Sequence, residues 1–410
     1  MNRGENIKSY KLAISAMSLT KYLAIAYIIV SKALVPLGVV NGGTKLVLLL
    51  LLTSCTLWTE SLKPYLNNLF RVEAVMIFVT TVTGMLIARN KGYVLDTMQS
   101  LVYEMLFGYC MYRISVRERK IDWFAYAWII TSIILVGYIY ITGGYSDGKL
   151  ARISINESTN VNTIGVFIMF GIWCVLYLLS NKKMSIIRTV AGVLTIAIFL
   201  YFIIQTVSRK SLIGSAFLII FWLVFVLNPY LKRMSFGKRW VVITLIAGAT
   251  GFIYWKFGAV FSDASIAMNY RMSKLTEENI TDMHRAALIK DALRVFVKHP
   301  LFGVGWNNYR FYSAFGQYSH NTYVEVLACT GLVGSFLAYA LWFIEFKQVL
   351  LIIKKRKNKV VLANIICLLI ILLFIDAVQI MYYNSTLLMI MHMIFTLSVI
   401  GSLNNNELSA

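Results

Sequence analysis

The fold is decided by the basic segment KKRKNK at 354–359 and the apolar run VVLANIICLLIILLFIDAVQIM that follows it at 360–381. The run contains a single charged residue, Asp376, and it is long enough to cross a hydrocarbon layer of roughly 30 Å as one helix. A cluster of Lys and Arg directly before such a run is typical of a loop held on the cytoplasmic side of a membrane. The segment therefore predicts a transmembrane helix that begins at the cytoplasm.

The same pattern recurs along all 410 residues, of which 59% are hydrophobic and only 14% charged. A soluble domain cannot bury that much apolar surface, whereas lipid solvates it, and the mean hydropathy of +0.71 agrees. We expect an all-α polytopic membrane protein, with 1–410 forming a single transmembrane bundle. Its twelve predicted spans lie near 19–40, 44–60, 71–89, 93–113, 122–142, 162–180, 186–207, 211–229, 240–257, 320–346, 360–381 and 384–402.

The distribution of basic residues predicts the orientation. The net charge of +21 comes mostly from short clusters between apolar runs, such as Arg117–Glu118–Arg119–Lys120, and this argues against nucleic-acid binding. The positive-inside rule places both termini in the cytoplasm. The first run, near 19–40, is too long for a cleaved signal peptide and is interpreted as an uncleaved span.

Two polar connections are then predicted to be extracytoplasmic, at 143–161 and, between spans 9 and 10, at 258–319. Within the longer loop, 282–298 has the periodicity of an amphipathic helix. Its apolar positions are Ile289, Leu293 and Phe296, and its basic positions are Lys290, Arg294 and Lys298. The helix could lie at the membrane interface or pack on top of the bundle, and the periodicity fits both interpretations.

Four cations fall on the predicted outer side. Arg209 and Lys210 occupy a tight turn between two spans, Arg152 lies in the first outer loop, and Arg285 begins the amphipathic helix. Arginine suits a diphosphate because its planar guanidinium donates in pairs and stays charged. Snorkelling toward lipid phosphates would also explain Arg209 alone. Several arginines on one face indicate a binding site for a lipid pyrophosphate.

His320 is the predicted catalytic residue. It lies in Ser319-His320-Asn321-Thr322-Tyr323, at the outer end of the tenth span, and Glu325 follows. An imidazole with a pKa near 6.5 suits a general base that takes a proton from a sugar hydroxyl, and Asn321 could orient it or the substrate. A structural interfacial histidine is the alternative. His284 and His299 are less specific candidates, and His392, deep in the last span, is interpreted as a packing or hydrogen-bonding residue.

Other motifs suggest little further chemistry. The Gly303-Val304-Gly305 segment lacks the third glycine and the preceding strand of a dinucleotide fingerprint, so it is interpreted as a tight turn. The five cysteines show no CxxC spacing, and no outward carboxylate or histidine cluster has metal-ligand spacing. We therefore expect no metal and no other cofactor. Glu104 and Asp376, inside apolar runs, keep a proton-coupled transporter open as an alternative.

These motifs together resemble the O-antigen ligase/Wzy polymerase superfamily. The resemblance is carried by Arg285, His299-Pro300-Leu301-Phe302-Gly303-Val304-Gly305, Ser319-His320-Asn321, Glu325 and Thr330-Gly331-Leu332-Val333-Gly334, with an earlier Ser208-Arg209 turn. Arg152 with Asn160 and Asn162 is similar to the family's Arg…Asn element. The chain departs from the family pattern at Trp306 and at Lys210.

The resemblance implies a C-type, metal-independent, inverting glycosyltransferase in the bacterial plasma membrane, with its active site extracytoplasmic. Its donor would be an undecaprenyl-pyrophosphate-linked oligosaccharide, with His320 as the base and Arg209, Arg285, Arg152 and Lys210 around the diphosphate. Asn321, Tyr323, Asn162 and Glu325 are further candidate substrate contacts. The partners implied are the lipid-linked donor, the bilayer and a chain-length regulator.

Three activities fit this sequence. The first is a polymerase that joins lipid-linked repeat units into capsule, exopolysaccharide or the O-antigen of lipopolysaccharide. The second is a ligase that transfers a finished glycan to another acceptor, since the two differ only in the acceptor. A flippase or transporter for lipid-linked glycans is the third, although the chain has no internal repeat of the kind common in transporters.

Overall fold

The computed structural model of the protein describes residues 18–59, 67–146, 153–155, 160–181, 186–232, 235–237, 239–240, 244, 248, 251, 279–354, 359–380 and 382–403. The chain divides into two compact units. The first consists of Met1–Ala24, Leu46–Lys120 and Glu278–Ala410, and the second of Ile25–Lys45 and Ile121–Glu277. Because His320 lies in the first unit and Arg209 in the second, each half of the predicted site is described within its own unit.

The described secondary structure is almost entirely helical. Helix α1 covers 18–29 and continues into a π-helical turn at Val30–Leu34. The other elements are α2 (Gly42–Thr59), α3 (Asn68–Ile87), α4 (Lys91–Glu118), α5 (Asp122–Thr142), α6 (Val161–Asn181), α7 (Ile186–Gln205), α8 (Arg209–Trp222), α9 (Asn228–Leu231), α10 (Asn279–Lys298), α11 (Thr322–Lys354), α12 (Lys359–Val378) and α13 (Ser385–Ser402). A π-helical turn at Leu223–Leu227 joins α8 to α9. One antiparallel pair, β1 (Tyr145–Ser146) with β2 (Ile153–Ser154), precedes α6.

The predicted fold class, an all-α polytopic membrane protein, is confirmed. Among the described residues, nine helices are long and apolar enough to cross a membrane, namely α2, α3, α5, α6, α7, α8 with its π-helical extension, α11, α12 and α13. The run near 93–113 lies in α4, which carries Asp96, Glu104 and Arg113 and is therefore less apolar. The span predicted near 240–257 lies largely outside the described residues.

The centre of the first unit is polar at one point. His392 of α13 is fully buried, and its Nε2 lies 2.9 Å from Oε2 of Glu73 on α3. The Phe70 ring stacks on the imidazole at a centroid distance of 5.5 Å. A Cβ at Gly108 of α4 would lie 2.4 Å from the same ring, so only glycine leaves room for it. His392 is thus a packed, hydrogen-bonded residue, as its position in the last span predicts.

Helix α11 corrects the prediction of one continuous span near 320–346. Gly331 interrupts the helix with φ 61° and ψ −164°. The hydroxyl of Tyr339 donates to the carbonyl of Tyr323 at 3.0 Å, whereas a straight helix would place these residues about 24 Å apart. The part before Gly331, α11a, therefore folds back along the part after it, α11b. Hydrophobicity alone does not reveal this break, because both parts are apolar.

Candidate active site

Two glycines allow the turn after α10 to touch the break in α11. A Cβ at Gly303 would lie 2.3 Å from the carbonyl carbon of Cys329, and one at Gly331 would lie 2.4 Å from the carbonyl carbon of Leu301. Both glycines have positive φ, of 68° and 61°. Any other residue would push one backbone away from the other, so this contact explains the glycines of both sequence motifs.

The same contact supplies partners for the backbone groups that a broken helix leaves free. At the end of α11a, the carbonyl of Cys329 accepts from the N–H of Gly305 at 2.8 Å, and that of Ala328 accepts from Val304 at 3.1 Å. At the start of α11b, the N–H of Leu332 donates to the Pro300 carbonyl at 2.8 Å. Because helix ends must find partners when they are buried, residues 300–305 stabilise the break.

Trp306, a departure from the family pattern, fixes the next part of the turn. Its side chain is buried, its Nε1 donates to Oγ1 of Thr80 on α3 at 2.7 Å, and its ring stacks on Tyr382 at 4.7 Å. Two residues on, Asn308 exchanges hydrogen bonds with the backbone of Asn90, at 2.8 Å and 2.9 Å. The segment between α10 and α11 is therefore attached to α3 as well as to α11.

Asp291 of α10 is a second anchor for this segment. Its carboxylate accepts hydrogen bonds from Arg294 at 2.5 Å, from the Tyr309 hydroxyl at 3.0 Å and from the Ala314 N–H at 3.1 Å. Burial alone would raise the pKa of Asp291, but these bonds and one from Ser313 outweigh it and hold the pKa below its ordinary value. The carboxylate thus joins α10 to the loop that leads to His320.

His320 itself is partly exposed and has the left-handed backbone conformation, with φ 57°. The residue before it is held by the buried Glu325, whose Oε2 accepts from the Ser319 N–H at 2.6 Å and from the Ser319 hydroxyl at 2.8 Å. Histidine tolerates this conformation better than most residues, but it is uncommon and tends to occur where surrounding structure enforces it. Glu325 supplies part of that enforcement.

The residues after His320 are held by α12. The side chain of Asn321 caps α11a, since its Oδ1 accepts from the Val324 N–H at 3.2 Å, and its Nδ2 donates to the Ala377 carbonyl at 3.1 Å. The Tyr323 hydroxyl donates to the Leu373 carbonyl at 3.2 Å. Asn321 and Tyr323, predicted as substrate contacts, therefore have their polar atoms engaged within the protein, and their most direct contribution is to position His320.

One tyrosine lies beside the histidine, and another lies close in sequence to the start of α13. The Tyr318 ring lies 4.4 Å from the imidazole of His320, centroid to centroid. Burial, and the negative charge of Glu325, raise the pKa of Tyr383 to about 12, while Arg310 opposes the shift. The Tyr383 hydroxyl is thus protonated at neutral pH and able to donate a hydrogen bond. Tyr318 raises and Arg310 lowers the pKa of Tyr383 by their electrostatic interaction with it.

A largely apolar cavity lies under α11a in the first unit. Thr322, Tyr323 and Val326 of α11a line one wall, and Tyr339 and Trp342 of α11b line another. The remaining walls come from α3, α4, α12 and α13, with Trp306 and Tyr382; they consist mostly of aliphatic side chains and include the carboxyls of Glu73 and Asp376. Since Thr322 is two residues from His320, the cavity adjoins the histidine segment.

The Ser208-Arg209 motif lies in the second unit. Val207 has φ 49°, and Arg209 is the first residue of α8, partly exposed like Lys210. Helix α6 packs against this turn through Gly165, where a Cβ would be 2.7 Å from the Ser211 hydroxyl. Asn162 begins the same helix, and its N–H donates to Oδ1 of Asn160 at 2.9 Å. Arg209, Lys210 and Asn162 therefore lie at the same end of the second unit.

The two other predicted cations differ in how they are placed. Arg285 is exposed on α10, one helical turn before the buried Leu288, and belongs to the same unit as His320. Arg152 lies outside the described residues. Within the described ranges there is also no cluster of three His, Cys, Asp or Glu side chains that could hold a metal ion.

Sequence reasoning missed three residues that shape the site, namely Asp291, Arg310 and Tyr383. In the sequence, Asp291 is one charged residue among several on an amphipathic helix. Its burial results from contacts with residues that are distant in the chain, such as Ala314. Arg310 and Tyr383 lie outside the recognised motifs. The signal in the sequence for Asp291 is that it is the single acidic residue in the last turns of a helix that are otherwise basic or apolar.

Comparison with known proteins shows which families the chain is similar to. Residues 193–339 match a family model described as O-Antigen ligase. Over 197 residues the chain is 30% identical to the teichuronic acid biosynthesis protein TuaE of Bacillus subtilis (strain 168), an alignment that covers 45% of this chain and 39% of that relative. The family match contains Arg209, Arg285, His320 and the glycines of the interlocked turn. The resemblance predicted from the motifs is thereby confirmed, since the match over residues 193–339 and the similarity to TuaE are both consistent with the O-antigen ligase/polymerase superfamily.

Proposed function

We propose that the protein is a membrane glycosyltransferase that polymerises undecaprenyl-pyrophosphate-linked oligosaccharide units into a surface polysaccharide, on the extracytoplasmic side. The observation that carries the proposal is His320, a partly exposed residue between two residues that hydrogen bonds hold in place, Ser319 through the buried Glu325 and Asn321 through the Ala377 carbonyl. The O-antigen ligase family match and the polysaccharide relative support a role in membrane polysaccharide synthesis.

In this mechanism, His320 accepts the proton of an acceptor sugar hydroxyl as that oxygen attacks the anomeric carbon of the donor. The bond between the anomeric carbon and the diphosphate oxygen breaks, and the diphosphate leaves with its electron pair. Direct displacement inverts the anomeric configuration. A histidine whose neighbours are held in place favours this step, because the entropy cost of orienting the base is met before the substrate binds.

The diphosphate is assigned to the cations of the sequence motifs. Arg209 is the first residue of α8, where a positive side chain is electrostatically unfavourable beside the positive end of the helix dipole. An anion bound there would relieve this cost, because the N-terminal end of a helix attracts negative charge. Arg285 on α10, Lys210 and Arg152 are also assigned to the diphosphate, on the basis of the family resemblance. Mutagenesis tests these assignments. Arg285→Lys should retain part of the activity that Arg285→Ala loses.

The cavity under α11a gives the isoprenoid chain of the donor a place beside His320. Its walls are mostly aliphatic and aromatic, whereas Glu73 and Asp376 would repel a diphosphate. We therefore assign it to the lipid chain and not to the charged head. Substitution of Val326 by Trp would fill this space, and it should raise the KM for a long-chain donor more than for a donor with a shortened chain.

Purified protein given lipid-linked repeat units tests the role of His320, with products sized on a gel. His320→Asn keeps a side chain that tolerates positive φ but cannot act as a base near neutral pH, and it should abolish extension. His299→Ala is the matched control, an exposed histidine of the same loop, and should extend chains normally. Normal extension by His320→Asn would remove His320 from the chemistry.

A ligase is the second candidate function, because the matching family is described by that activity. The same assay distinguishes a polymerase from a ligase. A polymerase elongates lipid-linked units with no other acceptor present, whereas a ligase releases the lipid diphosphate only when a second acceptor is added. Release that depends on added acceptor would decide for the ligase.

A further inference from the structure

Helix α10 leaves an amphipathic face uncovered. The side buried against the protein consists of Leu288, Asp291, Ala292 and Val295. The apolar positions that the sequence singles out, Ile289, Leu293 and Phe296, are instead partly or largely exposed, which favours the membrane-interface interpretation of this helix over packing on top of the bundle. The helix therefore packs through one face and presents a second apolar face outward.

That second face continues into the turn that follows. Exposed fractions are 40% for Leu293, 73% for Val297, 59% for Leu301 and 44% for Phe302. Leu293 and Val297 are one helical turn apart on α10, and Leu301 and Phe302 follow in the turn after it, so these four residues are called the apolar row. Four adjacent, largely exposed hydrophobic side chains at the end of a membrane protein need a covering medium other than water.

The apolar row continues the lipid-facing side of α11b. The N–H of Leu332 bonds to the Pro300 carbonyl, directly beside Leu301. Leu332 is 53% exposed and Phe336, one turn later on the same face, is 74% exposed. Exposed apolar residues of a membrane span contact hydrocarbon, so Leu301 and Phe302 lie where that hydrocarbon contact ends.

A basic row lies beside the apolar one. Lys290, Arg294 and Lys298 are all exposed. They are four residues apart, so they lie along one side of α10, next to Val297. Arg294 is paired with Asp291, but within the ranges that the structure describes neither lysine has an acidic partner. Apolar and basic rows side by side on an exposed helix are the pattern of a surface that binds anionic lipid headgroups.

We propose that this face of α10 is a docking surface for the anionic headgroup layer of the bilayer at the His320 end of the bundle. Val297, Leu301 and Phe302 enter the upper acyl region, and Lys290 and Lys298 contact lipid phosphates. The contact fixes α10, and with it Arg285, at headgroup depth. This inference does not depend on the proposed transferase activity.

Spin-label accessibility in the full chain tests the docking. All five cysteines are free, four of them buried, so Cys55→Ser gives a background for labelling Val297→Cys and Lys298→Cys. In vesicles of phosphatidylcholine and phosphatidylglycerol, the label at 297 should collide with oxygen and not with a water-soluble nickel chelate. The label at the adjacent position 298 should show the reverse.

Other patterns would overturn the proposal. Nickel access at both positions means a water-exposed face, and low access to both reagents at 297 means that protein covers it. Native mass spectrometry tests the contact of the two lysines with lipid phosphates. The double variant Lys290→Gln/Lys298→Gln should retain less phosphatidylglycerol, by roughly five-fold per lysine. Unchanged preference for phosphatidylglycerol over phosphatidylcholine would remove the lysines from the contact.

Discussion

The Glu325 carboxylate accepts two hydrogen bonds from Ser319, one from the backbone N–H at 2.6 Å and one from the hydroxyl at 2.8 Å. Between these two residues the chain passes through His320, whose φ of 57° is unusual for a residue with a side chain. We therefore expect Glu325 to be a positioning group, which affects the direction of the imidazole, and not a substrate contact.

Replacing Glu325 should therefore lower turnover more than binding. Glu325→Gln keeps the volume and an oxygen that can accept from both Ser319 donors, but it removes the negative charge that strengthens these two bonds, so the segment should be held less firmly. A misplacement of about 1 Å costs on the order of 100-fold in rate, and we expect kcat to fall by 10- to 100-fold with little change in KM. Steady-state kinetics on lipid-linked donor measure this.

Glu118→Gln is a suitable control for that variant, since Glu118 is a partly exposed acid of the same unit, paired with Lys21. Its kinetics should match those of the unmodified protein, because surface ion pairs contribute little. A Glu325→Gln variant that raises KM and leaves kcat unchanged would instead make Glu325 a substrate contact, its predicted role in the sequence.

Asp291 should stabilise the protein in a pH-dependent way. Its pKa is lowered in the folded state, so its contribution is complete above the ordinary value of 3.8 and is lost as the pH falls through the lower folded value. Asp291→Asn should cost about 1–3 kcal/mol at neutral pH, because an amide cannot accept from all of the present donors. Melting curves in detergent should show the gap between the two proteins closing as the pH drops below 3.8. A gap that does not change with pH would mean that the carboxylate charge has no part in it.

The sequence was informative where a property depends on local composition. Runs such as 360–381 predict spans because lipid solvates any helix of sufficient length and hydrophobicity, and the end of α10 at Lys298 follows from its periodicity, although the helix begins at Asn279 and not at 282. It was uninformative where a property depends on distant contacts. The fold-back at Gly331 requires the partners supplied by residues 300–305, and the burial of Asp291 requires Tyr309 and Ala314, so neither leaves a local signal.

We expect Gly303 and Gly331 to tolerate no side chain, because of backbone strain and because of close contact with other backbone atoms. Gly316 allows these two causes to be distinguished. All three have positive φ, but a Cβ at Gly316 meets nothing within 4 Å, whereas the other two would overlap backbone atoms. Gly316→Ala should therefore cost only the backbone strain, about 1–2 kcal/mol. Gly303→Ala and Gly331→Ala should cost more than about 4 kcal/mol, visible as loss of a single folded peak in size exclusion. Equal effects for the three variants would show that strain, and not the contact with α11, sets the requirement for glycine.

The bond from Trp306 to Thr80 should be measurable as a coupling energy between the turn and α3. The Thr80 hydroxyl donates to the Met76 carbonyl at 2.6 Å, so it is free to accept from the indole at 2.7 Å, and both side chains are buried. Thr80→Val leaves the indole N–H without a partner and should cost about 1–3 kcal/mol. Trp306→Phe removes the donor, so adding Thr80→Val to it should cost less than Thr80→Val alone.

A double-mutant cycle isolates that difference, which we expect to be about 1 kcal/mol. Thr83→Val is the matched control, because Thr83 lies one turn along α3 and its hydroxyl donates only to backbone carbonyls of its own helix, Val79 at 2.9 Å and Thr80 at 3.3 Å. Thr83→Val should show no coupling to Trp306→Phe. Coupling of the same size at both threonines would mean that Trp306 acts on α3 through general packing and that the hydrogen bond does not hold the turn.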